Sequence, residues 1–439
     1  MGGRMSTIWD YGMNYLMSVF FFLLPLQTQW ILRYGMLNGQ SWEYGTIGIY
    51  ATDIFLAIIF ALSFWGGHAD ARIRFRSRQC AAGMTVMIVV SALSIIAASD
   101  RSVALVHILW LIEAGIVGWL VSRSRYRSII SNSFVTGSVL QALIGLWQFF
   151  SQSTVASALM GWAAHPAWLP GTSVIEREGE RWLRAYAGFA HPNVFGGWMA
   201  VAIVAAVYCI LTENRPRVRV VLLCSLVFLS CGLAVSFSRS AWIAAAIGVG
   251  ALSLSLRVRE GCLPVGKAGR ELCVVLAIIV LSVSAILVPY RSLLETRFEA
   301  TARLERQSLN ERAQSYHDAF ALMRQHPFIG VGIGNFTSAV AALDPQRPLW
   351  SIQPVHNSVL LIIAELGVAD LSLIVAAFCY YLKLRRQSKN PILYSLFSIL
   401  FVLALFDHYL WSLHVGSLLV GFFIGWTLST PQFQPRRGS

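Results

Sequence analysis

Four short stretches of this 439-residue chain combine residue types that can do chemistry. Arg184 precedes AGFAHPN, in which His191-Pro192-Asn193 sets a turn just before an apolar helix. Such a helix start attracts anions through its free N–H groups. Arg239 sits in SFSRS (Ser236 to Ser240), a turn of a few residues between two apolar runs. An arginine that close to hydrocarbon is costly unless it has a partner. Glu311-Arg312 opens an amphipathic segment, and His356-Asn357 stands where another apolar helix begins. Guanidinium grips phosphate bidentately, which lysine cannot do. Imidazole exchanges protons near neutral pH. The set fits an anion held beside a base.

Each stretch also has a plain structural reading: a helix start for His191 to Asn193, a side chain reaching lipid headgroups for Arg239, exposed helix surface for Glu311-Arg312, and a helix cap for His356. The seven cysteines avoid the long polar loops, and no CxxC pair or HExxH is present. The spacing therefore points to no disulfide framework, no metal site and no cofactor.

The elements that must position these residues are membrane helices. Soluble domains carry about 25% charged residues; this chain carries 13%, with 56% hydrophobic residues. Its apolar runs match the roughly 20 residues needed to cross a bilayer. The expected fold is an all-α polytopic membrane protein, one integral domain over 1–439. Twelve candidate spans fall at 13–32, 47–66, 80–98, 103–122, 128–150, 194–212, 219–236, 240–256, 272–289, 357–382, 391–411 and 413–430. The apolar run near the N-terminus lacks a small-residue cleavage site and is read as a retained first span.

The loops alternate. One set is short and basic and holds all three lysines, so it is expected to be cytoplasmic, as are both termini. The other set includes 33–46, 151–193 and 290–356, and its basic residues are all arginines. These arginines either pair with loop acids such as Glu176, Glu295, Glu305 and Glu311 or bind an anion. The net charge of +13 thus sits in loops between spans, not on one folded face, which argues against a nucleic-acid partner.

The 290–356 loop carries its own structure. Ser308-Leu-Asn-Glu311 is a capping-box pattern that predicts a helix start. Leu309, Ala313, Tyr316, Phe320 and Met323 form one apolar stripe, and the helix is expected to stop before Pro327. Gly330, Gly332 and Gly334 predict a tight turn; without a preceding strand they do not make a nucleotide loop. The expected arrangement is a partly helical extracytoplasmic loop over the bundle. Glu113, Glu365, Asp370 and Asp407 fall inside apolar spans and are functional candidates by default.

From about Arg184 to Gly367 the chain resembles the O-antigen ligase and polymerase superfamily of integral membrane glycosyltransferases. The resemblance rests on RAYAGFAHPNVFGG, SFSRSAW, ERAQSYHDAFALMRQHPFIGVGIGNF and HNSVLLIIAELGVAD. Ligases of this family show His, then Asn, Ser or Gln, then nine residues and Gly, as in His356, Asn357 and Gly367. Their motif continues three positions on with Gly, Thr or Tyr, where this chain has Asp370.

The resemblance implies a donor glycan on undecaprenyl diphosphate and a sugar hydroxyl acceptor. The acceptor lies on lipid A-core for a ligase of lipopolysaccharide biosynthesis, or on a growing chain for a polysaccharide polymerase. It implies inversion without a metal, at the outer face of the bacterial inner membrane. His356 matches the proposed catalytic histidine. Arg184, Arg239 and Arg312 match recurrent outer-face arginines, Arg239 taken as catalytic and Arg184 and Arg312 as substrate-binding. Asn193 and Asn357 are read beside them as substrate-binding. Glu305, Glu311 and Asp344 are alternative bases. A twelve-helix secondary transporter is the competing class; the absence of a visible two-fold repeat of six helices and the short link between the sixth and seventh spans oppose it.

Overall fold

The computed structural model describes residues 2–64, 85–89, 91–123, 127–260, 267–299, 303–385 and 391–429. The basic loop at Arg72 to Arg78, most of the one at Lys383 to Lys389 and the arginine tail lie outside the described residues.

The chain runs from α1 (Gly2–Leu23) through a β-rich segment to α2 (Ala51–Leu62), α3 (Thr85–Ala97), α4 (Arg101–Arg123) and α5 (Arg127–Ser151). A second β-containing segment leads to α6 (Pro192–Thr212), α7 (Pro216–Val235), α8 (Arg239–Glu260) and α9 (Lys267–Leu287). The polar stretch holds α10 (Arg291–Phe298), α11 (Arg303–Gln325) and α12 (Phe336–Leu343). The chain ends with α13 (Ser358–Arg385), α14 (Pro391–Phe406), the single turn α15 (Tyr409–Ser412) and α16 (His414–Ser429). Among the described residues five helices, α4, α5, α6, α7 and α9, are long and apolar enough to cross a membrane. Seven more apolar helices are shorter. The chain is an all-α, multi-pass type of membrane protein decorated by small sheets.

Helix α6 is the centre. Pro192 and Pro216 open α6 and α7 at positions whose N–H groups have no helical partner anyway. With 89% of its apolar window buried, α6 is apolar all round, as a helix enclosed by others must be. It packs on α5, α7, α8 and α14. Elsewhere α4 and α16 approach closely because Gly421 and Gly425 lie against the Ala114 and Gly118 carbonyls, the small-residue contact that lets membrane helices touch.

Two expected spans are shorter than read. The run at 13–32 is helical only to Leu23, and 47–66 begins its helix at Ala51. Between them β1 (Gln29–Arg33) pairs antiparallel with β4 (Ile47–Tyr50), enclosing a hairpin of β2 (Met36–Leu37) and β3 (Gln40–Ser41). Asn38 and Gly39 both have positive φ, the turn chemistry of a tight hairpin. β5 (Val174–Arg177) and β6 (Glu180–Leu183) repeat the device across Glu178-Gly179.

Helix α11 ends before Pro327 as expected but starts at Arg303, before the capping-box pattern. Its buried face is Glu305, Ser315, Asp318, Ala319 and Leu322. The predicted stripe lies along its edge: Tyr316 and Met323 pack against the core, while Leu309 and Phe320 are about half exposed. The reason is electrostatic: Glu305 and Asp318 turn inward to meet Arg297 and Arg347, which outweighs apolar periodicity.

Residues 327–335 thread back into the bundle against a break in α13. At Gly367 the backbone leaves the helical region, with φ 77° and ψ 177°, a combination restricted essentially to glycine. The groups freed there are taken up by the loop: Val331 N donates to Ala364 O, Gly332 N to Glu365 O, and Val368 N to Pro327 O. Irregular backbone at this depth is stable only when protein satisfies it.

Candidate active site

The residues singled out in sequence converge on the mouth of α6 from three directions. Arg184 leaves β6 and is buried. Its Nε donates to Ser236 O at 3.0 Å and its guanidinium donates to Asn193 Oδ1 at 2.8 Å. Asn193 is held in the first turn of α6, where its N–H donates to His191 Nδ1. Its Nδ2 then donates to Asp407 Oδ2 at 3.0 Å.

Arg239 opens α8 after a turn in which Phe237 takes a positive φ. It donates to Arg297 O at 2.6 Å and to Glu305 Oε2 at 3.1 Å. Arg297, at the end of α10, pairs with the other Glu305 oxygen and donates to Phe237 O. Glu305 therefore bridges two arginines. Both of its oxygens are occupied, which removes it as a free base. Glu311 instead accepts from Gln307, and Asp344 from Gln346 N.

The arginines outnumber the acids around them. Burial holds the Arg184 guanidinium well below its ordinary value, and Arg297 adds to this. Burial also lowers Arg297 against the pull of Glu305, with Arg239 and then Arg312 adding to the cost. Arg312, half-buried on α11, thus belongs to the same field. Like charges this close are unfavourable until an anion joins them.

His356 faces the other end of the network. Its Nδ1 is buried without a hydrogen bond and lies 3.7 Å from Asp407 Oδ1. A short rotation would close that contact. Asp407 is not inside a helix. It sits at the break between α14 and α15, where its backbone O accepts from Ser358 N and Oγ and so fixes the start of α13. Burial alone would raise the Asp407 carboxyl, but the facing imidazoles, His356 first, reverse this and hold it far below the carboxylate range. Burial pushes His408 down to about 4, against Asp407, and His191 down to about 3, with Arg184 adding to the shift. Both are neutral at physiological pH.

Asn357 is placed as the helix cap of α13, its Oδ1 accepting from Val359 N and Leu360 N. His356, Asp407 and His408 bring three possible ligand atoms within 4.8 Å of one another. Asp407 Oδ1 already accepts from His408 N at 2.8 Å, and His408 Nδ1 is bonded to Ser412 Oγ. That arrangement suits orientation of His356 better than a ligand set. A cavity of about 1130 Å³ opens between α11 and α12, lined by Arg303, Arg306, Asn310, Gln314 and Trp350; Arg184, Arg239, Arg297, Arg312 and His356 are not among its lining residues.

Residues 224–375 match the family model for O-antigen ligases. That stretch is similar to an O-antigen ligase domain. The match covers about a third of its length and supports a ligase or polymerase type of function in polysaccharide biosynthesis. The matched segment contains Arg239, Arg297, Glu305, Arg312, His356 and Asn357; Arg184 and Asp407 bond to it from outside, through Ser236 and Ser358, and Asn193 joins those two. No curated protein matches the chain. The sequence reading missed Arg297 and the pairing of Asp407 with His356. Asp407 stands out as an acid in an apolar run, but nothing local connects it to a histidine 51 residues earlier.

Proposed function

We propose that this protein transfers a glycan from undecaprenyl diphosphate to a sugar hydroxyl, as an O-antigen ligase-like glycosyltransferase at the outer face of the bacterial inner membrane. The observation that carries this reading is the surplus of buried guanidinium beside a histidine–aspartate pair. Arg184, Arg239, Arg297 and Arg312 would hold the diphosphate and stabilise the charge that grows on it as it leaves. His356 Nε2 would take the proton of the acceptor hydroxyl while Asp407 stabilises the imidazolium. The bond from the sugar's anomeric carbon to the diphosphate breaks as the bond to the acceptor oxygen forms from the opposite face. The configuration inverts, and no metal is required of the residues named.

The cavity by Trp350 suits a sugar chain, since it offers amide, guanidinium and aromatic surfaces together. The reading includes about twelve spans, cytoplasmic termini, and outward placement of 151–193 and 290–356. A repeat-unit polymerase of the same superfamily is the second reading, because the donor chemistry is shared.

The test is turnover of a purified preparation with a lipid-diphosphate glycan. Release of free lipid diphosphate with lipid A-core as acceptor supports a ligase. Release only with a second lipid-linked glycan as acceptor supports a polymerase. Passage of the donor across a vesicle without bond cleavage would instead support a transporter and end the proposal.

A further inference from the structure

A second cluster of carboxylates and histidine lies on different helices, and the proposed reaction does not use it. Asp53 from the first turn of α2, Glu113 from α4 and His414 from the start of α16 converge within 4.8 Å. His414 Nε2 lies 2.9 Å from Asp53 Oδ1 and 3.0 Å from Glu113 Oε2. His414 is 2% exposed, Glu113 6%, and the Asp53 side chain 10%.

The protein's own hydrogen bonds leave this cluster incomplete. An imidazolium has one N–H at Nε2, and here it is aligned with Glu113. Asp53 Oδ2 is used by Tyr50 N in the cap of α2. Asp53 Oδ1 is aimed at the same centre, buried, and has no hydrogen-bond partner. Two carboxylates and one imidazolium also leave a net negative charge among apolar helices, which is expensive. The Tyr50 ring stacks on His414 at 4.3 Å, and Trp110 stands 5.7 Å away, so water has little room to compensate.

We propose that Asp53, Glu113 and His414 bind a divalent transition metal of the zinc class. One imidazole nitrogen and two carboxylate oxygens are a zinc-type donor set, with bonds of about 2.0–2.2 Å. The tetrahedral edges that follow from such bonds, about 3.3 Å, are close to the 2.9 and 3.0 Å separations here. A dication with two carboxylates and a neutral imidazole is electrically neutral, and Asp53 Oδ1 gains its missing partner. Tyr50 N fixes the other Asp53 oxygen, the outer-shell support that a ligating carboxylate requires. The ion ties α2, α4 and α16 together at the end of the segment that begins with Asp407 and His408. It is a structural clamp and takes no part in glycan transfer.

The test uses the full chain in detergent, stripped with chelator and titrated with Zn²⁺ or Co²⁺. The expected result is about one tightly bound equivalent, visible as tetrahedral or five-coordinate Co²⁺ absorption, and a higher melting temperature on loading. Asp53→Asn keeps the cap acceptor and should fold; it and His414→Gln should lose both the absorption and the metal-dependent shift. Asp407→Asn should retain them. A wild type that binds no more metal than His414→Gln overturns the proposal. So does binding that survives Asp53→Asn but disappears in Asp407→Asn, which would assign the ion to the other cluster. Because the readout is binding and melting, failure here is separate from failure of the transferase reading.

Discussion

Asn193 Nδ2 donates to Asp407 Oδ2 at 3.0 Å, joining residues 214 positions apart. The same amide accepts from Arg184. One side chain thus links the guanidinium cluster to the carboxylate that faces His356. Asn193→Asp would add a negative charge against Asp407 and remove the donor. Turnover should fall at least tenfold, with the melting temperature lowered as well, because two carboxylates would then face each other at hydrogen-bond distance, a repulsion that Arg184 on the other oxygen offsets only in part. Assay and melting curve together check this.

His356→Ala should reduce turnover by roughly 10²- to 10⁴-fold, the scale of a positioned acid–base group. Donor binding should change little, since the arginines hold the diphosphate. Asp407→Asn should also lower turnover while leaving donor affinity near that of the wild type. A His356→Ala defect confined to donor affinity would transfer the base role to another group.

Arg239→Lys keeps the charge and loses the planar fork that now spans Arg297 O and Glu305. Most activity should go with it. Near-normal turnover of the lysine variant would mean that Arg239 only fixes the start of α8 against α10.

The buried neutral histidines predict an acid limit to stability. His408 titrates at about 4 in the folded chain, below its ordinary value of 6.5. Below 6.5 the unfolded chain therefore binds a proton that the folded chain refuses. Stability is full above that value and falls as pH drops toward 4, by at most about 1.4 kcal/mol per pH unit for one such group. His191 acts in the same direction down to about 3. Melting curves across this range should show the loss, and His408→Gln should flatten it.

Gly367→Ala should be among the most destabilising single changes in α13. Its φ of 77° with ψ of 177° costs a side-chain-bearing residue about 1–3 kcal/mol. A Cβ there would also come within 2.2 Å of Phe328 O. Melting temperature and expression level are the measurements.

Much of this was legible in the residues. The helical bundle follows from apolar run length, and Arg184, Arg239 and His356 stand out because charged groups are rare beside apolar helices. The hairpins at β1 to β4 were hidden because a short apolar run such as QWILR reads equally as helix or strand. Asn38-Gly39 was the available clue. The face of α11 is legible only in part: Tyr316 and Met323 pack inward as their spacing predicts, but ion pairs turn Glu305 and Asp318 inward beside them. Arg297 and the role of Asp407 depend on contacts between distant segments, which periodicity does not report.

Ser358 donates twice to the backbone oxygen of Asp407, 49 residues on. Helix α13 therefore hangs by its first residue from the same peptide that presents the carboxylate to His356, while its course changes at Gly367 below. The part before Gly367 is thus held by Asp407 at one end and by the loop at Pro327 to Gly332 at the other. Changes in bilayer thickness should then be absorbed beneath Gly367, and the spacing of the imidazole and carboxylate should hold in thin and thick membranes alike.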